Sequence, residues 1–148
     1  MQMAIHSTSE VVRGMNTVRL SLLVFAMLGA GVVQSHHSLS GQFDTSKSFS
    51  INGVVSRVDW MNPHVYVHVD VKDGAGAVKT YRIESLPVAM MRKAGLSKPM
   101  LQGDGRPVSI QAYPARNGDP LLGYMLVLKL ADGQEVQFNK VPGAEKFE

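Results

Sequence analysis

Between His64 and Val71 polar and apolar residues alternate without a break: His-Val-Tyr-Val-His-Val-Asp-Val. That period of two predicts a half-buried strand. Val65, Val67, Val69 and Val71 take its core face; His64, Tyr66, His68 and Asp70 take its outer face. Upstream, Phe49 to Trp60 carries Ile51, Val54, Val55 and Val58, a strand whose alternation slips once near Gly53. Glycine inside a strand often marks a bulge, so a bulge is expected there. Met61-Asn62-Pro63 then ends the ladder, because proline donates no hydrogen bond. Asp73-Gly74-Ala75-Gly76 predicts a turn, and Val78 to Ser85 the returning strand, with Tyr81 and Ile83 inward.

Val88, Met90 and Met91 have helical spacing, after Pro87 at a first-turn position and before Gly95 as a stop. Gly103-Asp104-Gly105 predicts a turn, Pro107 to Tyr113 a fourth strand, and Asn117-Gly118-Asp119-Pro120 another turn. Gly123 to Leu130 is the fifth strand, folded by Asp132-Gly133 into a short hairpin with 134–138. Three strands, one short helix, two strands and a hairpin describe a mainly β, OB-like barrel of five to six strands. A small β-sandwich is the structural alternative.

The apolar run from Leu20 to Val33 follows a different pattern. It is uncharged, preceded by Arg13 and Arg19, and shorter than the roughly 20 residues that a spanning helix needs. A basic start, a short apolar stretch and small residues at the cut predict a signal peptide over 1–35, with Met15 as an alternative start. Cleavage is expected after Ser35 or one residue earlier; an uncleaved N-terminal anchor is the other reading. The expected organisation is then an irregular arm at 36–48, the β domain at 49–138 and a tail at 139–148, in the periplasm.

The chain has 148 residues, enough for one domain. Two arginines and one glutamate precede residue 36, so the exported part carries 13 basic against 11 acidic residues. That balance argues against nucleic acid as a partner, and no stable membrane span is expected after cleavage. Absent cysteine, there is no disulfide, zinc–thiolate site or thiol nucleophile. No Gly-x-Ser-x-Gly elbow, phosphate loop or His-Glu-x-x-His occurs, so nothing points to an enzyme.

The chemistry that remains is carried by histidine. Cleavage after Ser35 starts the chain at His36-His37-Ser38, where the α-amine and the imidazole of His36 can chelate a metal. Cleavage after Gln34 puts histidine third, another copper-capable start. Nitrogen-rich tetragonal sets favour Cu(II). Within Trp60-Met61-Asn62-Pro63-His64, His64 follows a proline that fixes the backbone and is a candidate third ligand. His68 lies four residues on, about 13 Å along a strand, too far to share an ion with His64. If Tyr66 opposes Glu84 and His68 opposes Arg82, Glu84 is diagonal to His64. It can then receive the second N–H of a ligating imidazole, or pair with Arg82 instead. His64, Tyr66, His68, Arg82 and Glu84 together form an outer face with one aromatic, too few for a base-stacking platform.

His36-His37-Ser38, Phe43-Asp44, Gly53, Trp60-x-Asn62-Pro63-His64, Glu84, Gly103-Asp104 and Pro114-x-x-Asn117-Gly118 resemble an exported bacterial family described only as a domain of unknown function. The resemblance spans nearly all of 36–138. It implies an OB-like barrel and a periplasmic location, and brings no activity. Two features depart from the pattern: Leu96 after Gly95, where an aromatic is usual, and the extension before Met15.

Two functions are therefore expected as alternatives. One is a periplasmic binding protein for copper or another transition metal, with His36, His37 and His64 as ligands and Glu84 behind them. The other is a non-catalytic module that binds a peptide, glycan or partner protein on the face bearing Tyr66, His68 and Arg82.

Overall fold

Alternating valines build the first wall of the barrel. In the computed structural model, which describes residues 38–103 and 105–144, Val65, Val67 and Val69 are wholly buried, as is Ile83 on the neighbouring strand. Each such side chain contributes about 1.5–3 kcal/mol when removed from water. The strands are β1 (Phe49–Asp59), β2 (Tyr66–Lys72), β3 (Val78–Glu84), β4 (Pro107–Pro114), β5 (Leu122–Lys129) and β6 (Glu135–Gln137). Their order is β3-β2-β1-β4-β5-β6, and a parallel β3–β5 pairing joins the two sides. Five strands thus close on themselves while β6 extends β5, which is the OB-like barrel. Ile110, Met125 and Leu128 fill it from β4 and β5.

The β1 irregularity lies between Val55 and Arg57, not at Gly53 as the sequence suggests. The buried positions Ile51, Val55 and Val58 place the slip there. Gly53 has another role: a Cβ would fall on the Asp70 carbonyl oxygen of the paired strand.

Two short helices, not one, connect β3 to β4: α2 (Val88–Lys93) and α3 (Lys98–Gln102). Gly95, at φ +79°, stops the first. Ser97 starts the second by accepting the Met100 N–H. Residues 36–48 are expected to be irregular, yet Leu39–Gln42 form a helical turn, α1, capped by the Ser38 hydroxyl. Leu39 and Phe43 bury their side chains against Tyr124. The Arg116 Nε donates to the carbonyls of Ser40 (2.8 Å) and Phe43 (3.1 Å), and Phe43 bridges to Ala115. The stretch expected as a tail from 139 also packs: a 3-10 turn at Phe138–Lys140 leads to buried Val141 and Ala144. Among the described residues no helix is long and apolar enough to cross a membrane.

Candidate functional site

The loop after β1 is tied to the chain that leaves β3. Pro63 follows a cis peptide bond from Asn62. The Asn62 Oδ1 accepts the Val88 N–H at 3.2 Å, which caps α2, whose N-cap Pro87 offers no side-chain bond. Val65 donates to the Leu86 carbonyl at 3.3 Å, and Ser85 donates to the Val65 carbonyl at 2.8 Å. Trp60 packs on the barrel core. His64 therefore sits where two anchored segments meet.

One ring nitrogen of His64 is fully engaged. Its Nδ1 lies 3.0 Å from Glu84 Oε1 and 3.1 Å from the Ser85 carbonyl oxygen. Both partners are acceptors, so Nδ1 carries a proton. In the neutral ring the lone pair is then on Nε2, which has no hydrogen-bond partner among the described residues. The other oxygen of Glu84 accepts the Tyr66 hydroxyl at 2.9 Å. Glu84 is only 8% exposed. Burial, reinforced by the bond to Glu84, pushes the Tyr66 phenol up to about 12. Of the two partners the sequence allows for Glu84, the carboxylate meets His64. Arg82 instead lies over the Tyr66 ring, 5.6 Å from its centroid.

The expected register is the observed one: Tyr66 opposes Glu84 and His68 opposes Arg82. Extended across β1 it gives two rows, Arg57–His68–Arg82 and Asp59–Tyr66–Glu84. His68 belongs to a second cluster. Its Nε2 is 2.9 Å from Asp59 Oδ2, which also accepts from the Arg57 guanidinium at 2.6 Å. Arg57 first, and His68 after it, hold the Asp59 carboxyl down at about 2. The same contact raises the Arg57 guanidinium.

His64 and His68 thus lean on different carboxylates, in keeping with their spacing. Among the described residues no group of three or more His, Cys, Asp and Glu is placed to hold a metal ion. His36 and His37 lie outside the described residues. A cleft of about 290 Å³, lined by Met100, Leu101, Arg106, Val108, Leu130 and Asp132 among others, contains none of the expected site residues.

Sequence reasoning missed two supports of the His64 site, Asn62 and Ser85, and the carboxylate of the His68 cluster, Asp59. Asn62 was visible only as part of a motif, and its role depends on where α2 begins. Ser85, wholly buried, holds the ring through its carbonyl and donates its hydroxyl to the Met91 sulfur at 3.1 Å. Asp59 sits two residues from Arg57 and opposite Tyr66, a placement that depends on the β1 slip.

No curated protein matches this sequence, and no solved structure does. A family model does match, over residues 25–122, a span that holds the Trp60–His64 loop and Glu84; the chain belongs to the family of unknown function DUF6152.

Proposed function

We propose that this is an exported, periplasmic small binding protein in which His64 ligates a transition metal ion, copper(II) foremost, through Nε2. The observation that carries the reading is the engagement of Nδ1 by Glu84 and the Ser85 carbonyl. A carboxylate or carbonyl on the far nitrogen is how ligating histidines are oriented and made more basic. Export rests on the uncharged run from Leu20 to Val33 behind Arg13 and Arg19. His36 and His37 are the further nitrogen donors supplied by the sequence.

The test uses protein processed in the periplasm, its N-terminus read by intact mass. The Cu(II) spin-resonance spectrum is recorded at one equivalent for the native chain, His64→Ala and the double change His36→Ala, His37→Ala. A nitrogen-rich signal that changes in His64→Ala supports the reading. A signal indifferent to His64 overturns it.

A second reading has one observation of its own. Arg82 makes no ion pair among the described residues and is braced on Tyr66, so its guanidinium can grip a carboxylate of a peptide or glycan partner. The same stacking covers one face of Tyr66 and Glu84 takes its hydroxyl, which removes that aromatic as a free platform for sugar rings. Arg82→Ala abolishing capture of a defined partner from periplasmic extract is the outcome this reading requires.

A further inference from the structure

The loop from Trp60 to His64 holds itself in place with most of its side-chain chemistry. Trp60 packs inward, Asn62 caps α2, and His64 uses Nδ1. Two donor atoms remain uncommitted among the described residues: the Nε2 of His64 and the thioether sulfur of Met61. Met61 is 57% exposed, more than any other large apolar side chain described. A lone exposed methionine is unremarkable in itself. This one shares a five-residue anchored loop with an imidazole whose free nitrogen carries a lone pair.

A thioether is a soft donor and imidazole a borderline one. Together they match monovalent copper, whereas magnesium, calcium and manganese seek oxygen. Residues 61 and 64 are separated by at most about 10 Å of backbone even when extended. That spacing leaves both side chains within reach of one ion, whereas His64 and His68 are held on different carboxylates, Glu84 and Asp59. Met100, 41% exposed on α3, lines its cleft with no histidine.

We infer that Met61 sulfur and His64 Nε2 form a site for the cuprous ion. The inference rests on the reading of His64 as a metal ligand and adds to it the oxidation state and a second donor. No electron transfer is involved; Cu(I) binds as Cu(I).

The experiment takes the full processed chain under anaerobic conditions. Cu(I), added as its acetonitrile complex, is titrated in competition with bicinchoninate, and the copper X-ray absorption spectrum is recorded. Met61→Leu keeps the apolar bulk and removes only the sulfur. It is expected to weaken Cu(I) binding about tenfold or more, the scale on which even outer-shell changes act. It is also expected to abolish the copper–sulfur scattering shell and leave Cu(II) affinity unchanged. Unchanged Cu(I) affinity in Met61→Leu, or a surviving sulfur shell, overturns the cuprous site. If His64→Ala leaves Cu(II) unaffected, the ligand reading of His64 falls, and the cuprous site with it. If His64→Ala weakens Cu(II) while Met61→Leu leaves Cu(I) unchanged, the cuprous site alone falls.

Discussion

His64, in the loop before β2, and His68, on β2, each lie within 3.0 Å of a carboxylate, and they are not equivalent. Glu84, behind His64, has a side chain 10% exposed and divides its two oxygens between an imidazole and a phenol. Asp59, behind His68, has a side chain 24% exposed and gives the same oxygen to Arg57, itself 64% exposed. The first carboxylate is committed to orienting a ring. The second is largely an arginine's partner at the surface. A histidine–carboxylate distance alone says little; what else the carboxylate holds decides whether the ring is preset.

The difference can be broken most directly through the acids. Glu84→Ala leaves the part-buried Tyr66 hydroxyl without its acceptor, so it is expected to destabilise by about 1–3 kcal/mol. Asp59→Ala disrupts a solvent-exposed pair and is expected to cost about 1 kcal/mol or less. Urea unfolding midpoints compare the two. Under the copper reading proposed above, Glu84→Gln is expected to weaken Cu(II) binding about 10–100-fold, and Asp59→Asn to leave it unchanged, by competitive titration. Equal effects from the two acids would remove the distinction.

The two clusters also differ in pH response. Asp59 titrates at about 2 in the folded chain, below the unfolded value of about 3.9. Its contribution is therefore present at neutral pH and lost as pH falls from about 4 toward 2. Tyr66 titrates at about 12, above the unfolded value of about 10. Its contribution is full below about pH 10 and lost as pH rises toward 12. Asp59→Asn is expected to flatten the acid limb of stability against pH and Tyr66→Phe the alkaline limb, each leaving the other intact. The smallest effect belongs to Arg82→Ala, about 0.5–1 kcal/mol for a surface cation over an aromatic ring, read by the same urea titration.

Which features were legible in the sequence follows from how local their causes are. The β2–β3 register could be read because a short turn at Asp73–Gly76 fixes it; the Asp73 carboxylate accepts from the N–H groups of Ala75 and Ala77. That register places Glu84 diagonal to His64. Whether Glu84 would meet His64 or Arg82 could not be read, because the choice depends on the Trp60–His64 loop folding over Ser85, a contact between distant parts of the chain. The docked arm was hidden for the same reason. Leu39 and Phe43 are two apolar positions in a polar stretch; both pack with Tyr124, and Arg116 holds the carbonyls of Ser40 and Phe43. The second helix carried readable signals, Ser97 before Lys98-Pro99, overshadowed by the stronger stop at Gly95.

The order of strands sets the time at which this molecule can become itself. β1 is flanked by β2, its neighbour in sequence, and by β4, whose Ala112 pairs with Phe49. The ring closes only when Arg82, Ile83 and Glu84 meet Leu122, Gly123 and Tyr124. In a chain emerging from its N-terminus, β1, β2 and β3 are available to pair before β4 and β5 have followed. Non-local pairing of this kind folds on the scale of milliseconds to seconds. The half of β1 that pairs with β4 has no partner until β4 emerges, and β3, which carries Glu84, has none on its far side until β5 follows. The Glu84 end of β3 gains its second neighbour only when the barrel closes.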